Sequence, residues 1–359
     1  MPQIDELLKR MVEKEASDLH LTVGAYPLVR IHGELEKMDS LGVISESPLQ
    51  SDQLRKLLYE ILTEEQIQEF EERKELDFAY QAPGIGRFRT NIFEQLKGVG
   101  AAFRLIPNQI LSLEELGLPK TLAKFTRLHK GLVLVTGPTG SGKSTTLASL
   151  IDLINRERKV HIITIEDPVE FVHVNKNSLI NQRQLGSNTL SFSNALRAAL
   201  REDPDVILIG EMRDLETISL AITAAETGHL VFGTLHTNSA AKTIDRIIDA
   251  FPSGQQAQIR TQLSESLKGV ISQQLLKRAD GKGRVVAIEI LVGTPAIANL
   301  IREGKTYQIP SVIQTGRREG MQTMDQAIID LLKMGKITTE EAFDKCVDRE
   351  TFQKYLGRM

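Results

Sequence analysis

Residues 131–155 read GLVLVTGPTGSGKSTTLASLIDLIN. An apolar run ends in a glycine-rich octapeptide that fits G-x-x-x-x-G-K-[ST] at Gly137, Gly142, Lys143 and Ser144, and a helix-patterned run follows. That order limits the fold more than any other stretch, because it requires a buried strand delivering a loop to the first turn of a helix. Glycines let the backbone curl so that successive N–H groups point inward, and the helix N-terminus adds partial positive charge. The candidate phosphate-binding segment is therefore Gly137, Pro138, Thr139, Gly140, Ser141, Gly142, Lys143, Ser144 and Thr145. Lys143 is suited to reach the terminal phosphates of a bound nucleotide, and the Ser144 hydroxyl to take a coordination position on Mg2+.

The surrounding sequence extends the same architecture. The buried-type runs GLVLVTG, VHIITIED, DVILIGE and HLVFGTLH alternate with helix-patterned segments, the signature of an α/β domain with a mostly parallel sheet and crossover helices. Connections look short, and from about Asp249 the chain is expected to be mainly helical, with one hairpin around KRADGKGRVVAIEIL.

The first part has a different character. Ile4, Leu7, Leu8, Met11 and Val12 recur at helical spacing. LHLTVG and PLVRIHGEL then suggest strands, 51–72 a second helix, and LDFAY, GRFRTNIF and GAAFRLI three further strands. A chain of 359 residues exceeds the size of a single growing core, so two domains are expected. Pro107 and Pro119 punctuate a stretch without a complete periodic element, which sets the expected bounds: an α+β domain at 1–105, a linker at 106–120 and the α/β domain of the glycine-rich loop, with a helical C-terminal part, at 121–359.

A formal charge of −3 argues against a protein that wraps nucleic acid through a general basic surface. No apolar run approaches the ~20 residues of a membrane span, and the charged N-terminus does not resemble a signal peptide, so a cytoplasmic location is expected. Cys346 is the single cysteine, which excludes an intrachain disulfide and any multi-cysteine zinc site.

In open α/β sheets ligands lie beyond the carboxyl ends of the strands, so polar residues just after each apolar run are candidates. VHIITI is followed by Glu166, Asp167 and Glu170 around Pro168. A carboxylate there can polarise an attacking water or hold magnesium through its hydration shell; an ordinary acidic turn is the alternative. DVILI is followed by Gly210 and Glu211, the shape of a Walker B element with glycine at the more usual Asp position, and Glu211 would serve magnesium through water. LVFGTL is followed by His236, a candidate sensor of the γ-phosphate, while His229 at the start of that run reads equally well as a packed histidine.

Taken together, GPTGSGKSTT, TIEDPVEF, LREDPDVILIGEMRD and TAAETGHLVFGTLHTNSA resemble, in order and spacing, the secretion ATPases that drive type II secretion and type IV pili. ASDLHL and GRFRTN extend the likeness to almost the whole chain. Within that family the chain looks most like the pilus-retraction branch. TPAIANLIREGK resembles that branch's AIRNLIRE element, with Ala298 in place of an arginine, and the long N-terminal extension and four-cysteine zinc element common in assembly ATPases are missing.

The resemblance implies a PAS-like N-terminal domain, a RecA-like P-loop ATPase core, a homohexamer, and ATP with Mg2+ bound where the two domains meet. It makes Arg87, Arg89 and Arg104 candidates to touch the γ-phosphate, and either Glu170, the favoured residue, or Glu166 the water-activating base. It further implies a motor at the cytoplasmic face of the inner membrane, acting on a PilC-like platform protein and, through it, on pilin. An assembly ATPase of the same family, a DNA translocase and a non-hydrolysing ATP-binding switch are the rivals. Loss of pili on deletion, DNA-stimulated hydrolysis, or binding without turnover would respectively favour them.

Overall fold

The computed structural model describes residues 2–31, 33–38, 47–106 and 109–356. The chain divides into two compact units, Met1–Gln109 and Ile110–Met359.

In the first unit a six-stranded sheet has the order β3-β2-β1-β6-β5-β4. Its strands are β1 (Asp18–Thr22), β2 (Leu28–Ile31), β3 (Glu34–Lys37), β4 (Glu75–Ala82), β5 (Gly86–Gln95) and β6 (Gly98–Ile106). The helix Gln3–Glu13 buries Ile4, Leu7, Leu8 and Met11 in the core that also takes Leu19, Phe88, Ile92 and Phe103 from the strands. The stretch expected as one helix at 51–72 is two, Ser51–Tyr59 and Glu64–Arg73. The cause is local: Thr63 accepts from the Gln66 N–H and the Gln66 side chain accepts from the Thr63 N–H, a capping box that restarts the helix. PLVRIHGEL likewise splits into β2 and β3, with His32 outside the described residues.

The second unit is built on a seven-stranded sheet of order β13-β12-β7-β11-β10-β8-β9. The strands are β7 (Gly131–Thr136), β8 (His161–Glu166), β9 (Leu179–Gln184), β10 (Val206–Ile209), β11 (Leu230–Leu235), β12 (Leu267–Lys277) and β13 (Arg284–Val292). All neighbours run parallel except β13, which closes a hairpin with β12. Helices cover both faces, so β7, β10 and β11 are buried throughout and consist of apolar runs broken only by Gly and Thr. Gln109, the part of the expected linker following the undescribed residues 107–108, and its successors carry no strand, and Leu113, Leu116 and Leu118 pack against the core of this unit.

Edge strand β9 had no counterpart in the expected elements, and the connection before it, residues 167–178, is longer than the short loops expected. LINQRQ lacks an apolar run because β9 is an edge strand whose polar side chains serve a neighbouring loop. The helix Pro295–Arg302, which contains Ala298, starts on a Thr294 cap and buries Ile297 and Ile301. Among the described residues no helix is long and apolar enough to cross a membrane.

Candidate active site

Because β7, β8, β10 and β11 are parallel neighbours, their carboxyl ends open on one edge of the sheet. The phosphate loop, the acidic turn, Glu211 and His236 each follow one of these ends.

The loop after β7 uses left-handed backbone at Gly137 (φ +144°), Gly140 (φ +76°) and Gly142 (φ +86°). Gly142 leads into the helix Lys143–Glu157, whose first turn receives no side-chain cap. Uncapped N–H groups at a helix start are suited to phosphate oxygens. Lys143 folds over the loop, its Nζ donating to the carbonyls of Gly137 (2.8 Å) and Pro138 (3.0 Å). Burial lowers the Lys143 pKa, and the charges of Glu211 and Glu170 oppose that shift, which places both carboxylates in its electrostatic surroundings.

Strand β12 supports the loop from the side. Buried Gln273 donates from Nε2 to the Ser141 carbonyl at 2.7 Å, and Thr136 and Ser272 hydroxyls meet at 2.8 Å. A side chain at Gly137 would collide with the Gln273 carbonyl, 2.3 Å from where its Cβ would stand. The loop is thus shaped against a strand more than a hundred residues later in the chain, and Gln273 carries no sequence signature of its own.

After β10, Glu211 Oε1 lies 2.9 Å from His236 Nε2 and 2.5 Å from Arg213 Nε. Burial pushes the Glu211 carboxyl up, but the Arg213 hydrogen bond and charge, with His236, outweigh it and hold the group below its ordinary range. Glu211 is therefore ionised at neutral pH. Gly210 is accounted for by crowding: a Cβ there would stand 3.1 Å from both Glu166 Cα and the Ile165 carbonyl oxygen. A cleft of about 590 Å3 brings Thr139 of the phosphate loop together with Glu211, Arg213, His236, Thr237 and Arg246. Arg213 and Arg246 join the sequence-predicted residues here. Arg213 lies two positions after the strand-end glutamate, and that proximity was the available clue.

The two candidate bases differ in setting. Glu166 accepts from Thr164 Oγ1 (2.6 Å) and Gln182 Nε2 (3.2 Å), and burial raises its pKa. Glu170 is exposed on the turn beyond it. His173, further along that loop, is held neutral by burial, its pKa lowered to about 4 against a smaller opposing pull from Asp152 and with Lys176 adding to the shift. In the unfolded chain it protonates near the ordinary histidine value of 6.5. The unfolded state therefore binds the extra proton first, and the contribution of His173 is complete above pH 6.5 and lost as pH falls toward 4. Up to about 3 kcal/mol rides on this one group. Urea unfolding of His173→Gln is expected to show a shallower loss of stability over that interval than the parent chain.

His229 sits at the opposite end of β11, its Nδ1 3.0 Å from the Ala224 carbonyl oxygen, a packed and hydrogen-bonded histidine away from the phosphate loop. Arg87, Arg89 and Arg104 belong to the first unit. Arg89 and Arg104 are registered opposite each other on β5 and β6, and Arg87 lies two residues from Arg89, so all three share the sheet face turned away from Phe88, Ile92 and Phe103. Arg104 Nε donates to Asp18 at 2.8 Å and Arg89 pairs with Asp77 at 3.8 Å.

A parallel sheet that delivers a glycine-rich phosphate-type loop, with one strand between its strand and the strand ending in Glu211, has the arrangement of a P-loop ATPase, and the chain belongs to the Type II/IV secretion system protein family, whose pattern matches residues 1–344. It is 54% identical to the type IV pilus retraction ATPase PilT of Pseudomonas aeruginosa over 97% of this chain and 99% of that protein. It is also 52% identical to a twitching motility protein of Neisseria gonorrhoeae, covering 90% of this chain and 85% of the relative. A crystal structure of the pilus retraction motor PilT with bound ADP superposes with a TM-score of 0.90 at 50% identity, covering 99% of each chain.

Proposed function

We propose that this chain is an ATP-hydrolysing motor of type IV pilus retraction. The observation that carries the reading is the end-to-end likeness to PilT, which runs through both units and not the ATPase core alone. The arrangement at the strand ends supplies the chemistry. Loop N–H groups and Lys143 hold the phosphates, Glu211 and His236 face the terminal phosphate, and an acidic turn stands beside them.

We assign the water-activating role to Glu170. It is exposed on the turn and its charge reaches Lys143, whereas Glu166 is already engaged by Thr164 and Gln182. Glu170 takes the proton as water oxygen attacks the γ-phosphorus and the bond to the β-phosphate oxygen breaks. The Ser144 hydroxyl and the ionised Glu211 are a hard oxygen donor set that fits Mg2+, directly and through water respectively. When bound, that ion neutralises charge on the phosphates. Arg87, Arg89 and Arg104 are assigned to the γ-phosphate in an assembled homohexamer. Closure with nucleotide and reopening after hydrolysis would pass a stroke to an inner-membrane platform protein and so to pilin, from the cytoplasmic face.

Glu170→Gln is expected to lower kcat for phosphate release by about 100-fold or more while KM for ATP changes little, with Glu166→Gln less affected. An inactive Glu166→Gln beside an active Glu170→Gln would transfer the role. In cells, deletion is expected to leave surface pili that no longer shorten, and loss of pili would instead indicate an assembly motor.

A further inference from the structure

The acidic turn carries its candidate base on a stretch without helix or strand, residues 167–178, so something outside the turn must fix it. Edge strand β9 supplies the contacts. Gln184 Oε1 accepts from the Val169 N–H at 3.2 Å. Gln182 Nε2 donates to the Phe171 carbonyl at 2.8 Å and to Glu166 Oε1 at 3.2 Å, while its Oε1 accepts from the His173 N–H at 2.8 Å. Val169 and Phe171 are buried, 5% and 7% exposed, and Glu170 between them points outward. The two glutamines therefore grip the backbone on either side of Glu170, and one of them also holds Glu166.

We propose that Gln182 and Gln184 are positioning residues for hydrolysis, fixing the acidic turn so that Glu170 addresses the nucleotide site. The proposal rests on Glu170 being the base. Alternate residues of a strand share a face, so two glutamines two positions apart present both amides to the same loop. Each replaces a loop-to-solvent hydrogen bond by one whose direction is set by the sheet. Positioning of a reacting group to within about 1 Å is worth up to about 100-fold in rate.

The test is steady-state phosphate release and fluorescent ADP-analogue binding by the full chain, with melting temperature on the same samples. Gln182→Ala is expected to lower kcat about 10- to 100-fold with KM and analogue affinity nearly unchanged. The isosteric Gln182→Glu keeps an acceptor for His173 but, when ionised, loses both donors; it is expected to fall similarly and decides the matter if the alanine variant does not fold. In a Glu170→Gln background, Gln182→Ala is expected to cost nothing further, whereas a residue that only stabilises the fold would lower rate, affinity and melting temperature in both backgrounds. Wild-type kcat in folded Gln182→Ala or Gln182→Glu, beside an inactive Glu170→Gln, would overturn the positioning role alone. An active Glu170→Gln would remove the base assignment and this proposal with it.

Discussion

Gly137→Ala is expected to abolish productive nucleotide binding although it adds a single methyl group. The new Cβ would stand 2.3 Å from the Gln273 carbonyl oxygen and 2.6 Å from Ser141 Oγ, and the backbone is at φ +144°, where L-residues are strained. Gln273 belongs to an interior strand and cannot retreat, so the loop must open. Backbone strain alone costs about 1–3 kcal/mol. With the displaced loop N–H groups, a loss of about 100-fold or more in ADP-analogue affinity is expected, roughly 2.7 kcal/mol. Gly140→Ala is the control: it shares the left-handed backbone at φ +76°, but nothing lies within 4 Å of its would-be Cβ. It is expected to bind within about 10-fold of the parent. Equal affinities for the two variants would show that contact with β12 does not shape the loop.

Glu211→Ala is expected to lower kcat by about 1,000-fold while the analogue still binds. The carboxylate is the shared acceptor of His236 and Arg213, so its removal takes away a negative charge and frees two neighbours from their positions. Arg213→Ala separates the effects. It leaves the carboxylate in place but removes the cation that holds its pKa down, and a milder defect that grows as pH falls is expected. Phosphate release by the three proteins over a pH series checks both expectations. An Arg213→Ala rate identical to the parent at every pH would remove Arg213 from the site.

What could be read from the sequence follows the range of the interactions involved. The glycine-rich loop is local chemistry, three left-handed glycines at the end of one strand, and its place between strand and helix was legible. Buried parallel strands announce themselves as apolar runs, so Glu166, Glu211 and His236 could be picked out as the residues at their ends. The break at Thr63 was written locally too, as T-E-E-Q, but the apolar spacing on either side masked it. Gln273 and Gln182 were not legible. A glutamine in a strand has no signature, and what each does depends on which strand lies beside which loop, information held in the sheet order β13-β12-β7-β11-β10-β8-β9. The family resemblance favoured Glu170 over Glu166, but the residues alone did not show that Glu166 is engaged by Thr164 and Gln182 while Glu170 is exposed.

Strand β12 joins two parts of the second unit that are distant in sequence. Gln273 reaches the phosphate loop through Ser141, and the next residue, Gln274, donates from Nε2 to the Lys345 carbonyl at the end of the helix Thr339–Lys345. Three residues on, the Lys277 N–H is held by Glu341 of the same helix. Successive side chains of a strand project to opposite faces, so β12 is a partition with the nucleotide loop on one side and the C-terminal helices on the other. A shortened chain ending before residue 339 would uncover part of one face of that partition and leave the Gln274 amide and the Lys277 N–H, on the strand that braces Ser141, without their partners.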